Sequence, residues 1–206
     1  MRSKFKIITP GPLTLKRLRV AYHEIGHVII FHHFGMPFNY VTIKSTRNLA
    51  GHVNSPEDEK HLSPEDVEKC TIVLLAGEML ERIIFGRHHF SACGAHGDFE
   101  IIYRINDLNP HPLRNADKEK HRKFFYRNGR KVLEILNTYM NEINVLAHEL
   151  QKKKTLSQNE VRKIIENHKL PDKGLRVPEY KIEKQSRAYR KRHNLSLPLP
   201  KGDLPF

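Results

Sequence analysis

The sequence predicts a mainly α-helical fold with one small β-sheet. Apolar residues recur every three or four positions over several long segments, which is the spacing of one face of a helix. Residues 38–54 instead show a β-rich, alternating pattern around Tyr40–Lys44. At 206 residues the chain is long enough for one ordinary domain, or for one domain with a tail.

Two helices are predicted in the first half of the chain. Thr14 is the expected N-cap of the first helix, which ends near Gly35. Ser63, followed by proline at the first helical position, opens a second helix that is apolar on most sides and stops at Gly86. Between them, the β-rich segment and a short return predict a hairpin or meander. Its strand Tyr40–Lys44 is a candidate exposed edge for substrate addition, although ordinary sheet packing explains it equally well.

The pattern of apolar residues in the second half of the chain predicts three more helices. The third runs from about Asp98 to Leu108, and a long fourth carries an apolar stripe from Val132 to Leu150. A capping box at Ser157–Glu160 opens a last short helix. The strongly charged residues 110–130 are interpreted as an insertion of undefined order.

Basic segments flank the domain, which we expect at residues 14–170. Residues 1–13 form a basic lead-in. Residues 171–206 form a proline-containing tail with nine Lys or Arg against four acids. We expect this tail to be flexible or wrapped over the domain surface.

The net charge and the missing motifs restrict the function and the compartment. Lys and Arg number 36 against 23 Asp and Glu, a formal charge of +13, which suggests nucleic acid or an anionic surface as a partner of the basic tail. The chain has only two cysteines, and it shows neither a secretory signal nor an apolar run near the ~20 residues that span a bilayer. We therefore expect a cytoplasmic protein without a transmembrane segment. No G-x-x-x-x-G-K-[ST] loop occurs, so we expect any ATPase to be a partner acting in trans.

The strongest motif is His23-Glu24-Ile25-Gly26-His27, an H-E-x-x-H in the first predicted helix. Its spacing puts His23 and His27 on one helix face, where both imidazoles can reach one Zn²⁺ ion. Glu24 is the predicted catalytic base, which takes a proton from water and delivers it to the leaving amine. Gly26 costs about 1 kcal/mol relative to Ala inside a helix, so we expect another element to pack closely against it.

The third metal ligand is open on spacing alone. His33 holds the place of the third histidine in a longer H-E-x-x-H-x-x-G-x-x-H pattern, but Ile30 replaces the glycine that turns the chain back, so we reject it. Glu78 and Glu81 on the second helix are candidate carboxylate ligands. Asp98 is a further candidate, because the N-terminus of the third helix favours a carboxylate there. On spacing alone, a simple helix cap explains Asp98 equally well.

Two side chains near Asp98 are weaker candidates. His96 is two residues away and could orient the ligands or donate a proton, although a solvated loop histidine is as good an interpretation. Cys93 is a possible metal ligand, but a small loop residue is the better interpretation.

Several segments resemble one family in the same order. Arg19–His27 looks like the zinc helix of the FtsH-type peptidases, the proteolytic half of the membrane AAA proteases. Leu75–Gly86 is similar to that family's gly-gly-arg-ala-ala-glu-glu helix. Ser91–Asp98 resembles its thr-gly-ala-ser-asn-asp segment, whose last residue is the third zinc ligand, so the match assigns Asp98. The resemblance spans about residues 17–168.

This resemblance implies an H-E-x-x-H zinc metallopeptidase domain, mostly helical with a small sheet, and endopeptidase activity. The chain departs from the family in four places. The ATPase and membrane segments are absent, Gly77-Glu78 replaces a Gly-Arg step, His96-Gly97 replaces Ser-Asn, and residues 110–130 replace the family's connection. The missing ATPase concerns the processive degradation of folded substrates. The other departures concern the substrate cleft and the ring assembly rather than the three metal ligands.

Three functions follow from these observations. The leading hypothesis is a stand-alone zinc endopeptidase that cuts unfolded or flexible proteins and needs no ATP of its own. The second is a regulatory metallopeptidase that cleaves one partner, as the ImmA/IrrE-type proteins do with a similar helix; Glu78 or Glu81 as the ligand would favour it. The third, from another class, is a basic nucleic-acid-binding protein with a structural zinc.

Overall fold

Six helices and three short strands make up the described part of the chain. The computed structural model describes residues 12–46, 50–56, 62–85, 95–109 and 117–168. In chain order the elements are α1 (Pro12–His33), β1 (Tyr40–Thr42), β2 (His52–Asn54), α2 (Pro64–Phe85), α3 (Ala95–Leu108), α4 (Lys118–Thr138), α5 (Met140–Lys153), β3 (Thr155–Ser157) and α6 (Gln158–His168). The predicted fold class, mainly helical with a small sheet, is confirmed.

Helix α1 is enclosed by the other elements. Residues 20–31 are buried, and Ala21 and Ile25 have no exposed surface at all. The helix packs against α2, α5 and α4 and against β1 and β2. Polar groups in such a position are costly unless they have partners, so the buried His23 and Glu24 point to a site inside the fold.

Helices α1 and α2 approach each other closely at Gly26. A Cβ atom at this position would lie 2.5 Å from the carbonyl oxygen of Ala76 and 3.0 Å from the Cα atom of Gly77. The close neighbour predicted from a glycine inside the helix is therefore confirmed, and it is the backbone of α2.

The sheet has the order β2-β1-β3, with both pairings antiparallel. Val41 in β1 pairs with Val53 on one side and with Leu156 on the other. The predicted hairpin is confirmed. The hypothesis that Tyr40–Lys44 is an exposed edge is wrong, because β1 is the central strand. Strand β3 was not predicted, because three residues are too few to show an alternating pattern.

The predicted helix starts at Ser63 and Ser157 are confirmed. The Ser63 hydroxyl accepts a hydrogen bond from the Asp66 amide at 3.2 Å. At the second start, the Glu160 carboxylate accepts from the Ser157 amide at 2.9 Å, and the Ser157 hydroxyl accepts from the Glu160 amide at 3.3 Å. These bonds satisfy backbone donors that the first turn of a helix leaves unpaired.

Two expectations for the second half are corrected. The long helix predicted through Val132–Leu150 is two helices that meet at Tyr139. Residues 118–130, predicted as part of a charged insertion, form the first turns of α4 after the N-cap Asp117. Only Phe124 and Phe125 among these residues are large and buried, so the apolar stripe was too short to recognise.

Two further observations complete the comparison with the sequence. Helix α3 begins at Ala95, one turn earlier than predicted. Residues 1–11 and 171–206, which include most of the lead-in and all of the basic tail, lie outside the described residues. Within the described ranges, no helix combines the length and the hydropathy needed to cross a membrane.

The close contact between α1 and α2 predicts the effect of a methyl group at Gly26. Gly26→Ala should destabilise the protein by about 1–3 kcal/mol, because overpacking outweighs the better helix propensity of alanine. Urea unfolding followed by circular dichroism measures this. Gly97→Ala is the control: a Cβ atom at Gly97 in α3 meets nothing within 4 Å. This control should be neutral or stabilise by up to ~1 kcal/mol, and a Gly26→Ala protein as stable as the control would contradict the packing.

Candidate metal centre

Two histidines of α1 lie side by side in the protein interior. His23 and His27 are one helical turn apart, so their imidazoles emerge on the same side of the helix. Both are almost completely buried. Their ring centroids are 4.8 Å apart, with the ring planes at 82°. The pair therefore offers two neighbouring ring nitrogens to one ion.

Each imidazole is oriented by a hydrogen bond at its Nδ1 atom. His27 Nδ1 lies 2.8 Å from the carbonyl oxygen of Val73, which can only accept. His23 Nδ1 lies 2.8 Å from Glu81 Oε1. With the hydrogen placed on Nδ1 in both neutral rings, each Nε2 keeps a lone pair on the side of Asp98, as a metal ligand requires.

Glu81 is held in turn by Arg19 from the first turns of α1. Arg19 Nε and Nη2 donate to Glu81 Oε2 at 3.2 and 2.9 Å, while the other carboxylate oxygen faces His23. Burial raises the pKa of Glu81, but the contacts with His23 and Arg19 outweigh it and hold that pKa below its ordinary value. Glu81 is thus an anionic bridge between the guanidinium and the imidazole.

Asp98 reaches the same point from the first turn of α3. Its Oδ2 atom lies 3.0 Å from His23 Nε2 and 3.5 Å from His27 Nε2. Despite these short distances, Oδ2 is buried and makes no well-aligned hydrogen bond. A buried carboxylate oxygen without such a bond needs another partner, and a cation between the three atoms would provide it.

The donor set fits a zinc ion. The three ligand atoms all lie within 4.8 Å of one another. Tetrahedral zinc with bonds of about 2.0–2.1 Å separates its ligand atoms by roughly 3.3 Å, close to the two distances measured from Asp98. Two imidazoles and one carboxylate leave one position open, which is the pattern of catalytic rather than structural zinc sites.

The electrostatics of the cluster also favour a cation. Burial lowers the pKa of His23, but the carboxylates of Asp98 and Glu81 outweigh it and raise that pKa well above its ordinary value. Burial raises the pKa of Asp98, and the two imidazoles of His23 and His27 outweigh it and lower that pKa. The groups that attract a proton to the imidazoles attract a metal cation in the same way, and its binding displaces the proton.

Gly77 of α2 makes room for the imidazoles. A Cβ atom there would lie 2.6 Å from His27 Nε2 and 2.8 Å from His23 Cε1. Any side chain at this position would collide with both imidazole rings. Gly26 and Gly77 together allow the histidines of α1 to lie directly against the backbone of α2.

Glu24 lies beside this cluster. Its side chain is buried, and a Cβ atom at Gly51 would lie 2.8 Å from Glu24 Oε1. Burial raises the pKa of Glu24 to about 7; His23 and His27 oppose the shift, and Asp98 adds to it. A carboxyl group with such a pKa can both accept and return a proton near neutral pH.

Two other residues considered from the sequence, Glu78 and the rejected His33, lie apart from this point. Glu78 forms an ion pair with Arg82, one turn further along α2. His33 lies at the end of α1 beside Tyr139, away from the cluster. His96 is in the first turn of α3, but its side chain is outside the described part of the chain, as is all of Cys93.

Three contributors were not predicted from the sequence. The Val73 carbonyl is a backbone group and has no sequence signal. Gly77 was noted only as part of a segment that resembles a family motif, although a glycine in an apolar helix can indicate a close approach. Arg19 was not considered, because its partner Glu81 is 62 residues away in the sequence.

Comparison with known proteins gives distant relatives. No protein-family model matches the sequence. The chain is 23% identical to the "ATP-dependent zinc metalloprotease FtsH" of Acidimicrobium ferrooxidans over 206 residues, which cover 79% of this chain and 31% of the relative. It is 25% identical to the protein of the same name from Lactiplantibacillus plantarum over 199 residues, covering 77% and 26%. The chain thus spans about a third or less of the length of these relatives and is distantly similar to FtsH zinc metalloproteases.

Loss of the carboxylate on α3 should remove the metal. We expect Asp98→Ala to weaken Zn²⁺ affinity by more than the roughly 10–100-fold that loss of an outer partner costs. Competition with a chromogenic chelator measures this. Glu78→Ala is the matched control, since it removes a carboxylate on α2 that pairs with Arg82. Equal affinities for both variants and the parent would exclude Asp98 as a ligand.

Glu81 should act through His23 rather than on the ion. We expect Glu81→Gln to weaken Zn²⁺ affinity about 10–100-fold, because an amide accepts less strongly from the imidazole and loses the charge that pairs with Arg19. The same chelator competition measures the loss. An affinity as low as that of Asp98→Ala would show instead that Glu81 is itself a ligand.

Proposed function

We propose that this chain is a zinc-dependent endopeptidase that hydrolyses peptide bonds of unfolded or flexible proteins. The observation that carries the proposal is the convergence of His23, His27 and Asp98 on one buried point, with Glu24 beside it. The distant similarity to FtsH zinc metalloproteases supports the same chemistry.

The proposed mechanism assigns one role to each group. His23, His27 and Asp98 would hold zinc, which would supply Lewis acidity toward water and toward the carbonyl of the peptide bond. Glu24 accepts the proton of the attacking water and later passes it to the nitrogen of the leaving amine. Glu81 and the Val73 carbonyl keep the two imidazoles in the required orientation.

The position of β2 supports an extended substrate. Among the described strands, β2 and β3 each have a partner on one side only. Of these two edges, β2 is the one that Gly51, next to Glu24, immediately precedes. A peptide that adds to this edge as a further strand would pass close to the cluster. Only unfolded or flexible segments can take this extended form, which is why the proposed substrates are of that class.

A regulatory peptidase that cuts one partner is the second hypothesis. Glu78 or Glu81 as a ligand would have favoured it. The pairing of Glu78 with Arg82 and the contact of Glu81 with Nδ1 of His23, on the far side of the ring from Asp98, favour the leading proposal instead.

Replacing the base should separate binding from catalysis. We expect Glu24→Gln to keep about one Zn²⁺ per chain, because the three ligands are unchanged, and to lose at least about 100-fold of casein cleavage. Metal analysis and a fluorogenic casein digest measure the two properties. The control is Glu160→Gln in the surface cap of α6, which should cleave normally. Cleavage by Glu24→Gln at the parent rate would remove Glu24 from the mechanism.

The folded state of the substrate should control the rate. No G-x-x-x-x-G-K-[ST] motif occurs in these 206 residues, so the purified chain has no motor of its own to unfold a substrate. A folded domain exposes extended segments only in its small open fraction. We expect a destabilised variant of one test protein to be cut much faster than its stable parent, equally with and without ATP. Equal rates on both forms, or strict dependence on ATP, would contradict this substrate class.

A further inference from the structure

Helix α4 concentrates the positive charge of the described fold. It has two glutamates, and its basic residues are Lys118, Lys120, Arg122, Lys123, Arg127, Arg130 and Lys131. All seven basic side chains are exposed. By contrast, α2 has five acidic and two basic residues, and α5 and α6 each have two acidic and two basic residues. The exposed face of α4, which we call the α4 basic face, is therefore a local patch and not an average property of the surface.

The carboxylates around this face only partly neutralise it. Glu119 is shared by Arg122 at 2.9 Å and Lys123 at 3.6 Å. Glu68 of α2 is shared in the same way, by Arg127 and Lys131 at 3.2 and 2.6 Å. Four cations thus share two carboxylates. Exposed ion pairs of this kind contribute little to stability, so phosphate groups can take over their cations at small cost.

Exposed tyrosines accompany the cations. Within the described residues, the large hydrophobic side chains that are exposed are Tyr103, Leu108 and Tyr126. Tyr126 is four residues from both Arg122 and Arg130, so it lies between them on the same helix face. Tyr103 of α3 borders α4, with its ring centroid 6.5 Å from that of His121. Aromatic rings flanked by arginines provide stacking positions for bases beside contacts for phosphates.

We propose that the α4 basic face, together with Tyr103, binds single-stranded nucleic acid. Residues 118–131 extend over ~20 Å of helix, long enough to follow several phosphates. An anionic membrane fits less well, because the aliphatic and phenylalanine side chains of α4 are buried or packed against the core. Only Tyr126 is left on this helix as an exposed large apolar side chain, too little for an inserted apolar face. An acidic peptide would pair with the cations but leave the tyrosines unused. The proposal does not depend on the metal site.

Fluorescence anisotropy with the full chain tests the proposal. The probes are labelled single-stranded DNA and RNA of about 12 nucleotides, within the usual site size of ~4–16, titrated at several salt concentrations. The charge-reversal variant is Lys123→Glu with Arg130→Glu. Its matched control is Arg162→Glu with Lys163→Glu, the same change on two exposed residues of α6. A third variant, Tyr126→Ala, removes the stacking ring without a change of charge.

The variants have distinct expected results. The reversal on α4 should weaken binding about tenfold or more and flatten the salt dependence, while the α6 control stays within about threefold of the parent. Tyr126→Ala should weaken binding roughly fivefold or more with an unchanged salt slope. Circular dichroism verifies folding of each variant. The proposal would be overturned if the α4 and α6 variants lost oligonucleotide affinity equally. It would also be overturned if the protein bound vesicles of anionic phospholipid but not the oligonucleotides.

Discussion

Helices α1 and α2 are in backbone contact, and the positions of the two imidazoles and of their Nδ1 partners depend on this contact. Gly26 admits the Ala76 carbonyl to the surface of α1, and Gly77 leaves the space that the two imidazoles occupy. The same contact brings the Val73 carbonyl and the Glu81 carboxylate to the Nδ1 atoms of the histidines. A glycine inside a helix lowers the stability of that helix locally. Here the two glycines allow the close approach that gives the site its geometry.

Buried charge is the second constraint on this region. Three carboxylates, of Glu24, Glu81 and Asp98, lie in or beside one cluster, and Arg19 is a permanent cation that pairs with one of them, Glu81. A dication held by the imidazoles and Asp98 would bring the formal charge of these groups to zero. Burial of unpaired carboxylates is costly, so a metal ion held there would stabilise the fold around α1 as well as supply the chemistry.

The sequence predicted the parts of this structure that local patterns determine. The helix starts at Ser63 and Ser157 follow from hydrogen bonds between neighbours, and the one-turn spacing of His23 and His27 follows from the helix itself. Asp98 could not be chosen over Glu78 or Glu81 from spacing, because the choice depends on how α3 is placed against α1. Arg19 and the central place of β1 were missed for the same reason, since both depend on contacts between distant segments.

A crystal structure of the protein grown with Zn²⁺, with anomalous data collected on both sides of the zinc absorption edge, tests the central claim most directly. The account predicts one strong anomalous peak per chain at this site, bonded to Nε2 of His23, Nε2 of His27 and one carboxylate oxygen of Asp98, with Glu81 still on Nδ1 of His23. No peak between these residues, or a zinc ion held by other side chains of the chain, would contradict it.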